Sequence, residues 1–354
     1  MDQYIPVIKT TDAEMQGFAN LDDKVKRGVL PLIEITRSRG SKNNPGKDIL
    51  KSIEKFADCV LDGQRFILDM TTEPLLLNLQ IEEVLSDISG GMAKWREFVE
   101  KLQVNHRGLI PMVHDITEES PAEFVAQVRG LSSSFSELAI RVELGSSGLG
   151  AVGLLLSALP PTTKLIVVLD LGYIHLNEVS AKVTECIRVL TTFQTLLSNN
   201  PRFKLSMCAS TFPKFVQSTG YGRDRGCDNF EIGEVRLHNE VSHRFPNLIY
   251  GDFGGIHPKR YVEGFNWVPR VDFPTNDRYY YSRAGREEGG YVTAARQLME
   301  NVPQFNAEPL DCWGYRAVID ARNGKPGGRS PAFWISARMN MHITRQFNRV
   351  DILG

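Results

Sequence analysis

Apolar runs that end on a polar or charged residue recur along this chain. YIPVIK closes on Lys9, LPLIE on Glu34, RFILD on Asp69, LAIRVE on Arg141 and Glu143, LIVVLD on Asp170, KLSMCAS on Ser210 and LIYGD on Asp252, while GLIPMVHD carries His114 and Asp115. Short apolar runs bounded by polar residues read as strands buried on both faces. Helical stretches separate them: Asp12–Leu21 with Asp12 as its N-cap, Asp48–Leu61, Pro74–Val104 as two helices broken at Gly90-Gly91, a helix opened by Ser120-Pro121, the weakly helical Gly145–Leu159, Asn177–Leu197 and a helix near Ile232–Arg244. Phe212–Phe230 reads as irregular. This repeated strand–helix alternation predicts an α/β fold, a (β/α)8 barrel of the TIM type in preference to a doubly wound sheet. The chain has 354 residues, more than the about 250 of such a barrel, so residues 1–258 are assigned to the barrel and 259–354 to a C-terminal α/β extension capping or flanking its mouth.

Strand parity then places the charge. Residues i and i+2 share a face, so Arg141 and Glu143 lie with Ala139, and Ile140, Val142 and Leu144 lie opposite. Outward positions pack on helices, which leaves the charged face for the barrel interior. The same parity turns Leu32 and Glu34, Ile67 and Asp69, Ile166, Val168 and Asp170, and Leu248, Tyr250 and Asp252 inward; for His114 and Asp115 it does not decide. The strand ends are where barrel enzymes work, so a ring of charge there is a candidate reaction centre.

Within that ring Lys9 and Arg141 are expected to hold an anion, with Glu143 orienting Arg141. Lys9, if desolvated, is also a Schiff-base candidate. Glu34, Asp69, Asp170 and Asp252 are candidates for acid–base work or for oxygen ligation of Mg²⁺ or Mn²⁺, Asp69, Asp170 and Asp252 first among the metal ligands. Substrate contacts are expected from Ser210, from His257 in the GGIHP loop, and from Arg283 and His342 in the tail. The alternative is structural: an Arg141–Glu143–Asp170 ion network that only closes the barrel top. Tyr279-Tyr280-Tyr281, Arg283, Arg286, Trp313, Arg338, His342 and Arg345 mix aromatics with arginines; such a set either stacks on bases or forms an ordinary cap. Gly145-Ser-Ser-Gly-Leu-Gly150 lacks the Lys-Ser/Thr of a phosphate loop and reads as a flexible connection; no HxH follows the first strand, which disfavours a zinc hydrolase of the amidohydrolase type.

Composition removes other classes. A net charge of −1 gives no global field for nucleic acid or anionic membrane, although residues 255–354 hold 14 Lys/Arg against 10 Asp/Glu. Five cysteines without close pairs suit buried free thiols in a reducing cytoplasm, and neither a signal peptide nor a membrane-length apolar run is recognisable.

Ordered stretches along nearly the whole chain resemble the Beta family of phage and prophage proteins. They include YIPVIKTTDAEMQGFANL at the start, PLIEI (31–35), AIRVE (139–143), VVLDLG (167–172), STFP (210–213), EVRLHNEV (234–241), YGDFGGIHP (250–258), RYYYSRAG (278–285), CWGY (312–315) and WISARMNMHIT (334–344). The family's late pair of histidines is Met341-His342 here. The resemblance implies a place in phage satellites or prophages, where some members belong to cassettes that protect the host from other phages.

Three functions remain open from the sequence. One is a cytoplasmic defence hydrolase acting on a phosphate-containing substrate, nucleotide or nucleic acid. Another is a non-catalytic sensor that recognises a phage component or nucleotide and controls a partner effector. The third is a sugar-directed hydrolase using two of the carboxylates.

Overall fold

The charge-tipped apolar runs close on themselves. In the computed structural model, which describes residues 3–353 apart from 41–43, 45–47, 146–147, 199–201, 217–221, 223–224 and 261–266, with the backbone alone at 352 and 353, the strands are β1 (Tyr4–Lys9), β2 (Leu32–Ile35), β3 (Phe66–Met70), β4 (Leu109–Val113), β5 (Glu137–Glu143), β6 (Lys164–Tyr173), β7 (Phe203–Ser210), β8 (Gly226–Glu231), β9 (Ile249–Asp252), β10 (Arg270–Pro274) and β11 (Arg278–Arg283). The helices are α1 (Asp12–Ala19), α2 (Asp23–Gly28), α3 (Leu50–Cys59), α4 (Leu79–Ser86), α5 (Ser89–Gln103), α6 (Pro121–Ser134), α7 (Gly148–Ala158), α8 (Val179–Leu197), α9 (Gly233–Ser242), α10 (Tyr291–Asn301), α11 (Pro303–Ala307), α12 (Trp313–Arg322) and α13 (Pro331–Leu353). Strands β1 to β7 and β9 form a closed parallel barrel in sequence order, and β10-β11-β8 form a separate antiparallel sheet. The (β/α)8 barrel expected from the alternation is therefore present.

Local signals explain most element boundaries. Ser120 accepts from Glu123 N at 3.3 Å and Pro121 opens α6, as the proline-at-N1 pattern requires. The expected break at the glycine pair falls within the first turn of α5, past the end of α4 at Ser86, where Gly90 and Gly91 take φ of 57° and 66° and Gly91 lies against the Ala126–Gln127 backbone with no room for a side chain. Two expectations are corrected. The cap of α1 is Thr11, extended at φ −74° and accepting from Glu14 N, so that Asp12 is already the first helical residue. Phe212–Phe230 is not irregular throughout, because its end is β8, whose partner β11 comes some fifty residues later in the chain. Ser146 and Ser147 of the Gly145–Gly150 connection, and residues 41–43 and 45–47 of the loop before α3, lie outside the described residues.

Helix α13 completes the ring. It packs on α1, α2 and β1 and also on α12 and β10. Its Met339, Ile343, Phe347 and Val350 belong to the barrel core, whereas Trp334, Ala337 and Met341 belong to a second core with α10, α12 and β10. The chain thus leaves the barrel after β9, adds β10 and β11 to the earlier β8, builds α10 to α12, and returns with the helix that covers the β1–β9 seam.

That return decides a parity question. A side chain on Gly251 would run into Cys208 Sγ, and the Cys208 thiol lies in the field of Asp170 and Arg141, so Gly251 and Cys208 face the interior. Tyr250 and Asp252 consequently face outward: Tyr250 lies 5.3 Å from the His238 ring of α9 and under Arg349 of α13, and Asp252 bonds His342 of α13. The inward placement expected for Tyr250 and Asp252 is therefore wrong. Both faces of a barrel strand are buried, and parity alone does not say which is which.

Candidate active site at the barrel mouth

At the strand ends Lys9, Glu34 and Asp69 stand level on adjacent strands, and Asp170 stands level with Glu143. Arg141 reaches across from β5 and gathers three carboxylates. Its Nε and Nη2 both lie 2.7 Å from Asp170 Oδ2, and Nη1 binds Glu34 Oε1 and lies 3.5 Å from Asp69 Oδ2. Its guanidinium also sits 5.9 Å from the centre of the Phe253 ring. The orienting role expected of Glu143 thus falls to Glu34, Asp69 and Asp170, while Glu143 itself is exposed at the end of β5.

Lys9 is the second cation. Its Nζ is 2.7 Å from Glu73 and 3.9 Å from Glu34 and donates to Pro258 O. Burial works against its charge, yet Glu34, Glu14 and Glu73 outweigh burial and leave its pKa raised. A raised value is the wrong direction for an imine-forming amine, which must shed its proton to attack.

The carboxylates divide by environment. Burial pushes Asp69 up to about 7; Arg141 pulls it down and neighbouring Glu34 pushes it up. Glu34 is equally buried, but direct contact with Arg141 and the nearby Lys9 holds it below the usual carboxylate range. His114 settles the undecided parity of β4: its Nδ1 is 3.8 Å from Asp69 and its ring lies edge-on to Trp95, while Asp115 is exposed and binds Thr117. Burial drives the His114 pKa down to about 4, so the ring is neutral, and its Nε2 is buried without a hydrogen-bond partner.

Two mouth residues were missed by strand reading because they are not on strands. Glu14 of α1 accepts from Lys9 N at 2.6 Å, and burial raises its pKa to about 7. Its signal was the Thr11-x-x-Glu14 capping pattern, which brings that side chain back to the helix start. Glu73 lies in the loop after β3, binds Lys9 and accepts from Arg260 N, and no periodic signal marks it. Five carboxylates (Glu14, Glu34, Asp69, Glu73 and Asp170) therefore face two cations.

The remaining expectations separate. His257 is at the rim, 4.7 Å from the Tyr173 ring, in the loop that brings Pro258 O to Lys9. Ser210 is buried, and its Oγ donates to Ile256 O and accepts from Phe212 N, so its hydroxyl holds that loop. Arg283 ends β11 on the small sheet, opposite Gly226 and Arg270. His342 is wholly buried between Tyr279 Oη and Asp252, each at 2.7 Å, and cannot meet a substrate. Asp252 also accepts from the Tyr4 and Tyr250 hydroxyls and from Gly254 N, each at 2.8 Å, and these bonds with His342 hold its pKa down against burial. Tyr279, Tyr281 and Arg338 are likewise packed inside, which removes them from any base-stacking surface. The set Asp69, Asp170 and Asp252 is thus split by the barrel wall, and among the described residues no three His, Cys, Asp or Glu side chains converge to hold a metal ion. The five cysteines are free, and no helix among the described residues is long and apolar enough to cross a membrane.

These features define a (β/α)8 barrel protein with a desolvated, carboxylate-rich mouth. The chain belongs to the Beta protein family, which matches residues 4–348. It is 29% identical to Protein beta of Enterobacteria phage P4 over 354 residues, 99% of this chain and 94% of that one. Among solved structures it is similar to a spore coat polysaccharide biosynthesis protein of Bacillus subtilis, at 10% identity and a TM-score of 0.29 over 94% of this chain and 72% of the other, a score too low to equate the two folds.

Proposed function

We propose that the mouth is a hydrolytic acid–base site for a neutral, hydroxyl-rich substrate, a sugar-directed hydrolase with Asp69 as the proton-holding acid and Glu34 as the ionised base or nucleophile. One observation carries this reading: two neighbouring carboxyls share the nitrogen Nη1 of Arg141, yet Asp69 is pushed up to about 7 and Glu34 is held below the normal range. Environments that drive paired carboxyls apart are how one site supplies an acid and a base at neutral pH. Asp69 would protonate the leaving oxygen. Glu34 would attack the anomeric carbon or activate water, and Arg141 and Asp170 would hold both in place.

The phosphate-directed reading is less well supported. Lys9 and Arg141 are already in contact with carboxylates, and an incoming phosphate would have to displace them against an acidic excess. Nor, among the described residues, is there a converging donor set for Mg²⁺ or Mn²⁺. The resemblance to phage and prophage proteins, some of which belong to cassettes that protect the host from other phages, favours a role in defence against phages.

The test is turnover of nitrophenyl glycosides and of nitrophenyl phosphate mono- and diesters by the wild type, Asp69→Asn and Glu34→Gln. Glycoside turnover with a basic limb near pH 7, lost in both variants, is expected. Turnover of phosphate esters alone would overturn the sugar reading in favour of the phosphate one. In cells, phage plating on strains carrying Asp69→Asn decides between enzyme and sensor, because a sensor keeps its protection without the acid.

A further inference from the structure

The foot of the barrel carries a cation that the fold does not balance. Arg349 of α13 is 9% exposed, its guanidinium lies 4.5 Å from the centre of the Tyr250 ring, and its Nε donates to Gln346 at 2.6 Å. Its Nη2 is buried without a hydrogen-bond partner, and no carboxylate among the described residues pairs with it. Arg345, one helical turn earlier on the same face, donates to Glu308 O at 2.8 Å and leaves its Nε buried and unbonded. Lys24 of α2 pairs with Asp351 at 3.8 Å. Together with Asn276 and Asn348 these residues line one surface depression. Its carboxylate is taken by Lys24, and Arg345 has Glu308 at 3.7 Å, so Arg349 is left over. Tyr250 pairs with Tyr4 near the start of β9 and β1, which puts the depression at the end of the barrel away from the mouth.

A buried guanidinium without a counter-charge is costly, and two like charges one turn apart add to that cost. Guanidinium N–H groups favour tetrahedral and planar oxyanions, and side-chain amides add donors. Here the donors come from three places in the chain: α2, the face of α13 and the turn at Asn276. We infer that this depression is an anion site that takes a phosphate group, either free or carried by a nucleotide or nucleic-acid strand. The site is independent of the chemistry proposed for the mouth. It supplies the phosphate recognition that the acidic mouth lacks.

The experiment compares the melting temperature of the full chain in sodium phosphate with that in sodium chloride and sodium acetate at matched ionic strength. A fluorescein-labelled oligothymidylate is titrated in parallel by anisotropy. The wild type should gain a few degrees in phosphate over both controls. Asn348→Asp, an exposed substitution that sets a carboxylate among the cations, should abolish the gain, as should Arg345→Gln. Oligonucleotide binding that Asn348→Asp removes would assign the phosphate to a nucleic-acid strand; a response to phosphate alone would assign it to a small molecule, and both support the site. Equal shifts in phosphate and chloride, or a phosphate shift that survives Asn348→Asp, would overturn it.

Discussion

Asp69→Asn separates a carboxyl held for chemistry from one that merely pairs with Arg141. The ordinary value of an aspartate is about 4, and in the folded chain Asp69 is raised to about 7. Between those values the native state keeps a proton that the unfolded state has released. Stability therefore falls as pH rises through the window from about 4 to about 7 and is level above it. Three units at about 1.4 kcal/mol each set a ceiling of about 4 kcal/mol; from about pH 5 to about pH 8.5 the part still to be lost is about 2–3 kcal/mol. Asparagine preserves the shape and the acceptor for Met70 N, bonded at 2.8 Å, but has no proton to lose. Its direct cost is confined to the Arg141 contact at 3.5 Å. Glu14 is raised into the same window, but it is present in both proteins and cancels in the difference. Urea unfolding followed by tryptophan fluorescence at the two pH values gives four stabilities. The wild type should lose about 2–3 kcal/mol more than Asp69→Asn between them. Parallel slopes, or a variant several kcal/mol weaker at high pH, would refute the reasoning and make Asp69 an ionised structural partner.

Two further substitutions test the wall on which α13 closes. His342→Asn strips Asp252, itself fully buried, of its cationic-capable partner, and should cost about 3–5 kcal/mol in denaturant unfolding; a change below about 1 kcal/mol would mean the tyrosine hydroxyls suffice. Gly255→Ala meets two obstacles, a φ of +74° and a Cβ 2.5 Å from Tyr279 Oη. It should cost about 1–3 kcal/mol in the same assay and loosen the loop that delivers Pro258 O to Lys9, whereas a neutral outcome would show that this loop is not fixed by the Tyr279–His342 pair.

The sequence by itself determined the barrel and most of its mouth, all but Glu14 and Glu73. Apolar runs of strand length tipped with charge leave few alternatives once they repeat between helices, and where a charged side chain breaks an apolar run its face is the mouth, as at Glu34, Asp69, Arg141 and Asp170. Only the tertiary structure decided Asp252, because Tyr250 and Asp252 find polar partners on α13 and α9, elements that lie far along the chain or have no fixed place until the barrel closes. The same non-locality hid β8, whose pairing with β11 no short-range pattern encodes, and Glu73, which reaches Lys9 from a loop. It also made His342 look available, since a polar residue on a helix of mixed composition gives no sign that Tyr279 and the outer face of β9 will enclose it. The balance of charge at the mouth is likewise a tertiary quantity. Each carboxylate could be read in place, but whether it holds or releases its proton depends on which of them Arg141 reaches.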